Sequence, residues 1–168
     1  DLSHFSSERG RVMSTYTRNH LNQASQNYIK NVMQEPKQTL EIDGNKVLLL
    51  HGSIEDPYWG KLTPSKVDDE KYKDYDYVIS GHIHQSYKID VFFKAETPLM
   101  RNQKRTTFIN PGSVGQPRNH NPYAQYVYMD FQTGEIHFNA VPYDVDAEQV
   151  LFPKEIDKFY SERLKFGI

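Results

Sequence analysis

The sequence predicts an α/β fold in which neighbouring parallel strands carry histidine at their carboxyl ends. Three stretches point to it. Tyr77 to Ser80 is a short apolar run that suits a buried strand, and Gly81-His82-Ile83-His84 follows it directly. Lys46-Val47-Leu48-Leu49-Leu50-His51-Gly52 repeats the pattern of apolar run, histidine and glycine. Between them, Thr63-Pro64-Ser65 opens a charged stretch to about Asp74 that reads as a helix, with proline in its first turn. Strand, helix, strand is the connection that makes two strands parallel.

Open α/β sheets place ligands at the carboxyl ends of their strands. In an extended segment, residues i and i+2 point the same way, so His82 and His84 are expected to converge on one site. His51 is expected to share their rim. Glycine beside each histidine allows close backbone approach. A neutral imidazole is the commonest metal ligand. The plain alternative stays open at this point: the chain has seven histidines, and a structural pair with a capped histidine at a strand end has the same spelling.

The 168 residues favour one domain over 1–168. Hydrophobic residues are 37% and charged residues 25% of the chain, the balance of an ordinary globular protein. Twelve Tyr and nine Phe suffice for a real core. A net charge of −2 gives no global field toward nucleic acid or a membrane surface. There is no cysteine, which excludes disulfides and thiolate metal sites and allows a reducing compartment. No apolar run reaches the ~20 residues of a membrane span. The expected setting is cytoplasmic, and the oligomeric state is left open.

In chain order, residues 1–13 give no clear element, and Thr15 to His20 open at most a helical turn. Ser25 reads as the N-cap of a helix from about Gln26 to Gln34, with Tyr28, Ile29, Val32 and Met33 at helical spacing for packing on a sheet. Asp43-Gly44-Asn45 joins Gln38–Ile42 to Lys46–Leu50 as a hairpin. Pro57, Tyr58 and Trp59 lie in the loop after His51, as a cleft wall or as a lid over core. Strands are expected at Tyr87–Phe93 and Thr106–Ile109, joined by a long polar connection over 94–105. Asn110 to Arg118 is turn-rich. Tyr123–Phe131 and Glu135–Val141 form a hairpin, with His137 structural. Lys154–Lys165 is a terminal helix. His4 and His20 read as surface histidines.

The stretches "LLLHGS", "VISGHIH" and "FINPGSVGQPRN", in this order, resemble the calcineurin-like metallophosphoesterases, most of all their small bacterial and archaeal phosphodiesterase branch. The likeness covers about Gln38 to Asp144, and "AVPYDVDAE" is similar as well. It implies a four-layer α/β/β/α sandwich and two divalent metal ions, of Mn, Fe, Ni or Zn. It implies that His51 and His82 serve one metal and His84 the other. Gly52 and Gly81 shape those loops, and Asn110, Gly112 and Ser113 support the His82–His84 turn. Arg118 is a candidate phosphate contact, against the alternative of an ordinary solvated loop residue.

The implied activity is metal-dependent hydrolysis of a small phosphodiester or phosphomonoester. The family's Asp-x-His, Gly-Asp and Gly-Asn-His/Asp motifs do not occur here. Asp1 stands where the last of these would end. The chain therefore reads as a C-terminal half, lacking the N-terminal strands and helices. It is expected to be inactive and to hold metal weakly by itself, because neutral imidazoles bring no negative charge to bridge two cations. The alternative is a catalytically inactive scaffold or protein-binding module, as in the retromer scaffold subunit of the same fold family.

Overall fold

The computed structural model describes residues 4–5, 7–33, 35–96 and 98–168. Asp1, the expected helix end at Gln34 and the Thr97 position of the 94–105 connection lie outside them. The chain divides into two compact units. One comprises the described residues up to Glu35 together with Asp144–Phe166, and the other runs from Pro36 to Tyr143 with Gly167–Ile168.

The second unit is built on a mixed sheet. Its strands are β1 (Lys37–Ile42), β2 (Asn45–Leu50), β3 (Tyr77–Ser80), β4 (Tyr87–Lys94) and β5 (Gln103–Asn110), in the order β1-β2-β3-β5-β4. The hairpin β1–β2 turns at Asp43 and Gly44, both in the left-handed region at φ 47° and 75°. That is the backbone a two-residue hairpin turn demands. As expected, β2 and β3 are parallel, with Leu50 opposite Ser80. β3 and β5 are parallel too, with Ile79 opposite Ile109. The carboxyl ends Leu50, Ser80 and Asn110 therefore form one rim.

The three central strands are apolar on both faces because both faces are covered. Leu48, Leu50, Val78 and Phe108 pack against Leu62, Val67 and Tyr72. Val47, Tyr77 and Ile109 pack against Val127, Met129 and Ile136 of the hairpin β6 (Ala124–Met129) and β7 (Ile136–Val141). Each such side chain contributes roughly 1.5–3 kcal/mol by leaving water. The rim stands on this base.

Several expected boundaries move. The charged stretch after Thr63 is two short 3₁₀ turns, Pro64–Lys66 and Glu70–Tyr72, and not one helix. Asp favours caps over helix interiors, and the Asp69 carboxylate accepts from the Lys71 N–H at 3.1 Å. The 94–105 connection is shorter than expected, because β4 runs to Lys94, β5 starts at Gln103, and Ala95 N–H donates to the Asn102 carbonyl at 2.9 Å.

The first unit is helical: α1 (Glu8–His20), α2 (Gln23–Asn31), α3 (Val145–Val150) and α4 (Lys158–Glu162). The polar start of the chain thus holds a 13-residue helix, capped by the Ser7 hydroxyl, which accepts from Gly10 N–H. Helix α2 is capped by Asn22 and not by Ser25, since the Asn22 side chain accepts from the Ser25 N–H at 2.8 Å. The residues expected to pack on a sheet, Tyr28, Ile29, Val32 and Met33, are exposed. The expected terminal helix over Lys154–Lys165 is confined to α4 and a 3₁₀ turn. Phe159 lies between the Arg9 and Arg163 guanidinium groups, at 3.9 and 4.7 Å. Among the described residues, no helix is long and apolar enough to cross a membrane.

Candidate active site

Each rim strand releases the chain into a turn tied to its neighbour. Gly81 N–H donates to the His51 carbonyl at 3.0 Å, continuing the β2–β3 ladder one step past the strands. Asn110, fully buried at the end of β5, donates from Nδ2 to the Gly81 carbonyl at 2.7 Å. Its Oδ1 accepts from Gly112 N–H at 3.1 Å. One buried amide thus couples the β3 turn to the loop that follows β5.

The turn at His82–His84 is not extended. His82 and His84 have φ 62° and 60°, and Ile83 N–H donates to the Gly81 carbonyl at 2.7 Å. This corrects the premise that i and i+2 point alike there: left-handed residues reverse the chain. Non-glycine residues in this region are uncommon, with His among the enriched types. Such backbone gathers at active sites and ligand clamps.

The outcome is a pair in contact and a third histidine in the same turn, bonded to the next loop. His51 Nε2 lies 3.1 Å from His82 Nδ1, with the rings edge to face at 5.1 Å. His84 turns its Nδ1 to the Gln116 carbonyl at 2.8 Å, and its own carbonyl accepts from Arg118 N–H at 2.9 Å. Among the described residues, no group of three or more His, Cys, Asp or Glu side chains could hold a metal ion. The expected convergence of all three imidazoles is therefore seen as contact between two.

Partial burial lowers the pKa of His51 below its ordinary value. Burial lowers that of His82 too, helped by His51, Lys61, His84 and Arg118 nearby. Both shifts favour the neutral imidazole, the form that binds a cation.

The pair can be tested against a divalent ion. Two nitrogens bound to one ion at about 2.0–2.1 Å each lie about 3.0–3.4 Å apart. The 3.1 Å between His51 and His82 satisfies this. The spacing is compatible with two ligands of one ion once neither facing nitrogen carries a proton. A complete donor set, which would need carboxylates to balance the charge, is not formed among the described residues.

The surrounding loops are braced by backbone hydrogen bonds and close backbone approaches. Gly52 N–H donates to the Pro57 carbonyl at 2.8 Å, and a Cβ on Gly52 would meet backbone atoms of Asp56 and Gly60. Gly112 sits at φ 89° against Gln125 and Ser86, where no side chain fits. Ser113 accepts Gln125 N–H on its carbonyl and Gln116 N–H on its hydroxyl, both at 2.9 Å. The Asn110–Arg118 loop therefore packs on the histidine turn, as its glycines suggested. Arg118 donates to the Gln116 side chain at 3.1 Å, and its charge reaches His82.

Sequence reasoning missed Gln116, Gln125 and Lys61. Gln125 is buried on β6 and accepts from the Ser86 hydroxyl at 2.7 Å. A glutamine inside an alternating strand gives no sign of that role. Lys61 follows Gly60 in a loop, where a charge is ordinary.

A crystal structure of a metallophosphoesterase from Sphaerobacter thermophilus shares the fold, with a TM-score of 0.72 and 21% identity over 99% of this chain and 72% of that one. So does a hypothetical protein from Pyrococcus horikoshii, with a TM-score of 0.74 and 19% identity over 99% of this chain and 64% of that one. An uncharacterised protein of Methanocaldococcus jannaschii is 30% identical over 131 residues, 75% of this chain. The chain spans about half, 54%, of that relative's length. The profile of the calcineurin-like phosphoesterase superfamily domain matches residues 14–134. With most of its length inside that match, and the mixed α/β fold of a metallophosphoesterase, the chain belongs to the calcineurin-like phosphoesterase superfamily.

Proposed function

We propose that this chain supplies His51, His82 and His84 to the metal site of a phosphodiesterase. The observation that carries the reading is the His51–His82 contact of 3.1 Å across adjacent parallel strand ends. Phosphate esters resist attack because their oxygens carry charge. A pair of divalent ions, when bound, neutralises that charge and lowers the pKa of a bound water.

The chain's own residues do the rest. His51 and His82 present neutral nitrogens at a fixed spacing. Asn110 holds the turn that carries His82 through the Gly81 carbonyl. The Gln116 carbonyl fixes the His84 ring through its Nδ1. Arg118 and Lys61 place positive charge around His82, where a substrate phosphate would need it. Two divalent ions would need carboxylates besides these histidines to balance their charge.

The test uses the full protein and bis(p-nitrophenyl) phosphate with Mn²⁺ or another divalent ion. Turnover that a chelator abolishes is expected. His82→Ala is expected to remove most activity while leaving the fold intact, and Asn110→Ala to cost about 10–100-fold. No turnover with any divalent ion would overturn the enzyme reading in favour of a scaffold.

A further inference from the structure

The loop between His51 and Lys61 brings an aromatic group to the histidine pair and holds it there. Trp59, the chain's single tryptophan, meets the His82 ring edge to face at 6.2 Å. Its backbone N–H donates to Asp56 Oδ1 at 3.0 Å. Asp56 in turn holds Ser53 and Gly60 through its carbonyl, at 3.0 and 2.9 Å. Tyr58, 59% exposed, stands beside Trp59, which is 38% exposed. Two aromatic rings with accessible surface are therefore fixed on a short braced loop, next to a candidate metal ligand.

Neither ring belongs to the clusters that cover the sheet. An aromatic side chain that keeps open surface beside a polar site is suited to receive a flat partner. We propose that Trp59, with Tyr58 beside it, is the specificity-determining element of this site. It stacks the non-reacting arm of the substrate, which makes phosphodiesters with a flat aromatic arm, such as a nucleoside, the favoured class. The proposal rests on the phosphodiesterase reading above. Stacking of one base on an aromatic side chain changes affinity by about 5- to 150-fold, enough to choose among substrates that share the same phosphate.

The test compares two substrates with one leaving group in the full protein: thymidine 5′-(p-nitrophenyl phosphate) and methyl p-nitrophenyl phosphate. Trp59→Ala is expected to lower the ratio of their kcat/KM values about 10-fold or more. Trp59→Phe is expected to restore most of that ratio. An equal fall for both substrates would show that Trp59 acts only by orienting His82, and would overturn the proposal. An unchanged ratio would overturn it as well.

Fluorescence separates this from the reaction itself. Thymidine monophosphate is expected to quench a signal that Trp59→Phe removes, saturably, where inorganic phosphate does not. Quenching without turnover under any metal keeps the aromatic site and sinks the phosphodiesterase reading. Turnover without quenching keeps the enzyme and sinks the aromatic site. Neither signal sinks both.

Discussion

The strand-end rim and helix α2 are both announced by apolar residues, yet they end in opposite states. Behind the rim, Leu48, Val78 and Phe108 have no exposed surface. On α2 and just past its end, Tyr28, Ile29, Val32 and Met33 are 58%, 46%, 57% and 64% exposed, and the helix buries no residue. A central parallel strand has a neighbour on each side and a layer on each face. A continuous apolar run therefore states its own surroundings. A helical stripe states only that one face is apolar, and leaves what covers it to the rest of the structure.

The largest test of this contrast is Phe108→Ala. Phe108 is fully buried and meets Tyr72 edge to face at 5.3 Å. Its truncation is expected to destabilise the protein by about 3–5 kcal/mol, read as a fall in the urea midpoint. A loss under about 2 kcal/mol would mean that the core on that face closes around the gap.

Next come the backbone positions of the rim. Gly52→Ala places a Cβ against backbone carbonyls that cannot swing aside, and overpacking of this kind costs about 1–3 kcal/mol. Asn110→Ala removes one of the two donors to the Gly81 carbonyl, which keeps Ile83 N–H, and takes the acceptor from Gly112 N–H, at about 0.5–1.5 kcal/mol per hydrogen bond. The two variants should differ in their local effect. Gly52→Ala should alter the environment of Trp59, and Asn110→Ala that of His82 and His84, as seen by NMR of the two side-chain types. If both perturb the same signals, the two loops move as one body.

Much of the rim was legible because its pattern is local. Apolar run, histidine and glycine occur within seven residues at His51, and the β2–β3 pairing follows from the spacing between the two copies. The Asn110–Arg118 contact was legible for the same reason, since its turn residues leave few paths for the chain. The positive φ of His82 and His84 was not. It depends on a carbonyl of Gly81 being taken by Asn110, 29 residues away. The hold on the His84 ring comes from Gln116, which no motif marks. The helix at Glu8–His20 was hidden by its polarity, because it has one buried residue, Gly10.

A smaller effect should appear with pH. Burial lowers the pKa of His51, and burial with the surrounding positive groups lowers that of His82. The unfolded chain then binds more protons than the folded one as pH falls below the ordinary value of 6.5. Stability from this source is present above that pH and is lost as pH drops through the lowered values. The double variant His51→Gln, His82→Gln should therefore lose less stability than the parent between pH 7.5 and pH 5 in metal-free buffer. An equal loss in both would show that other groups set the acid limb. Solvent reaches both rings, so the difference should be modest.

The smallest expected effect lies on α2. Val32 is its C-cap and is 57% exposed, and its backbone N–H closes the helix on the Tyr28 carbonyl at 2.9 Å. The side chain takes no part in that bond. Val32→Ser keeps the N–H, removes two methyl groups from a surface that water already reaches, and adds a hydroxyl that water can satisfy. Substitutions of this kind stay within about ±0.5 kcal/mol, so urea midpoints of the parent and variant should nearly coincide. Measured in the full protein, a loss above about 1.5 kcal/mol would mean that the stripe is covered there. The contrast between rim and helix would then belong to this chain by itself and not to the assembled molecule.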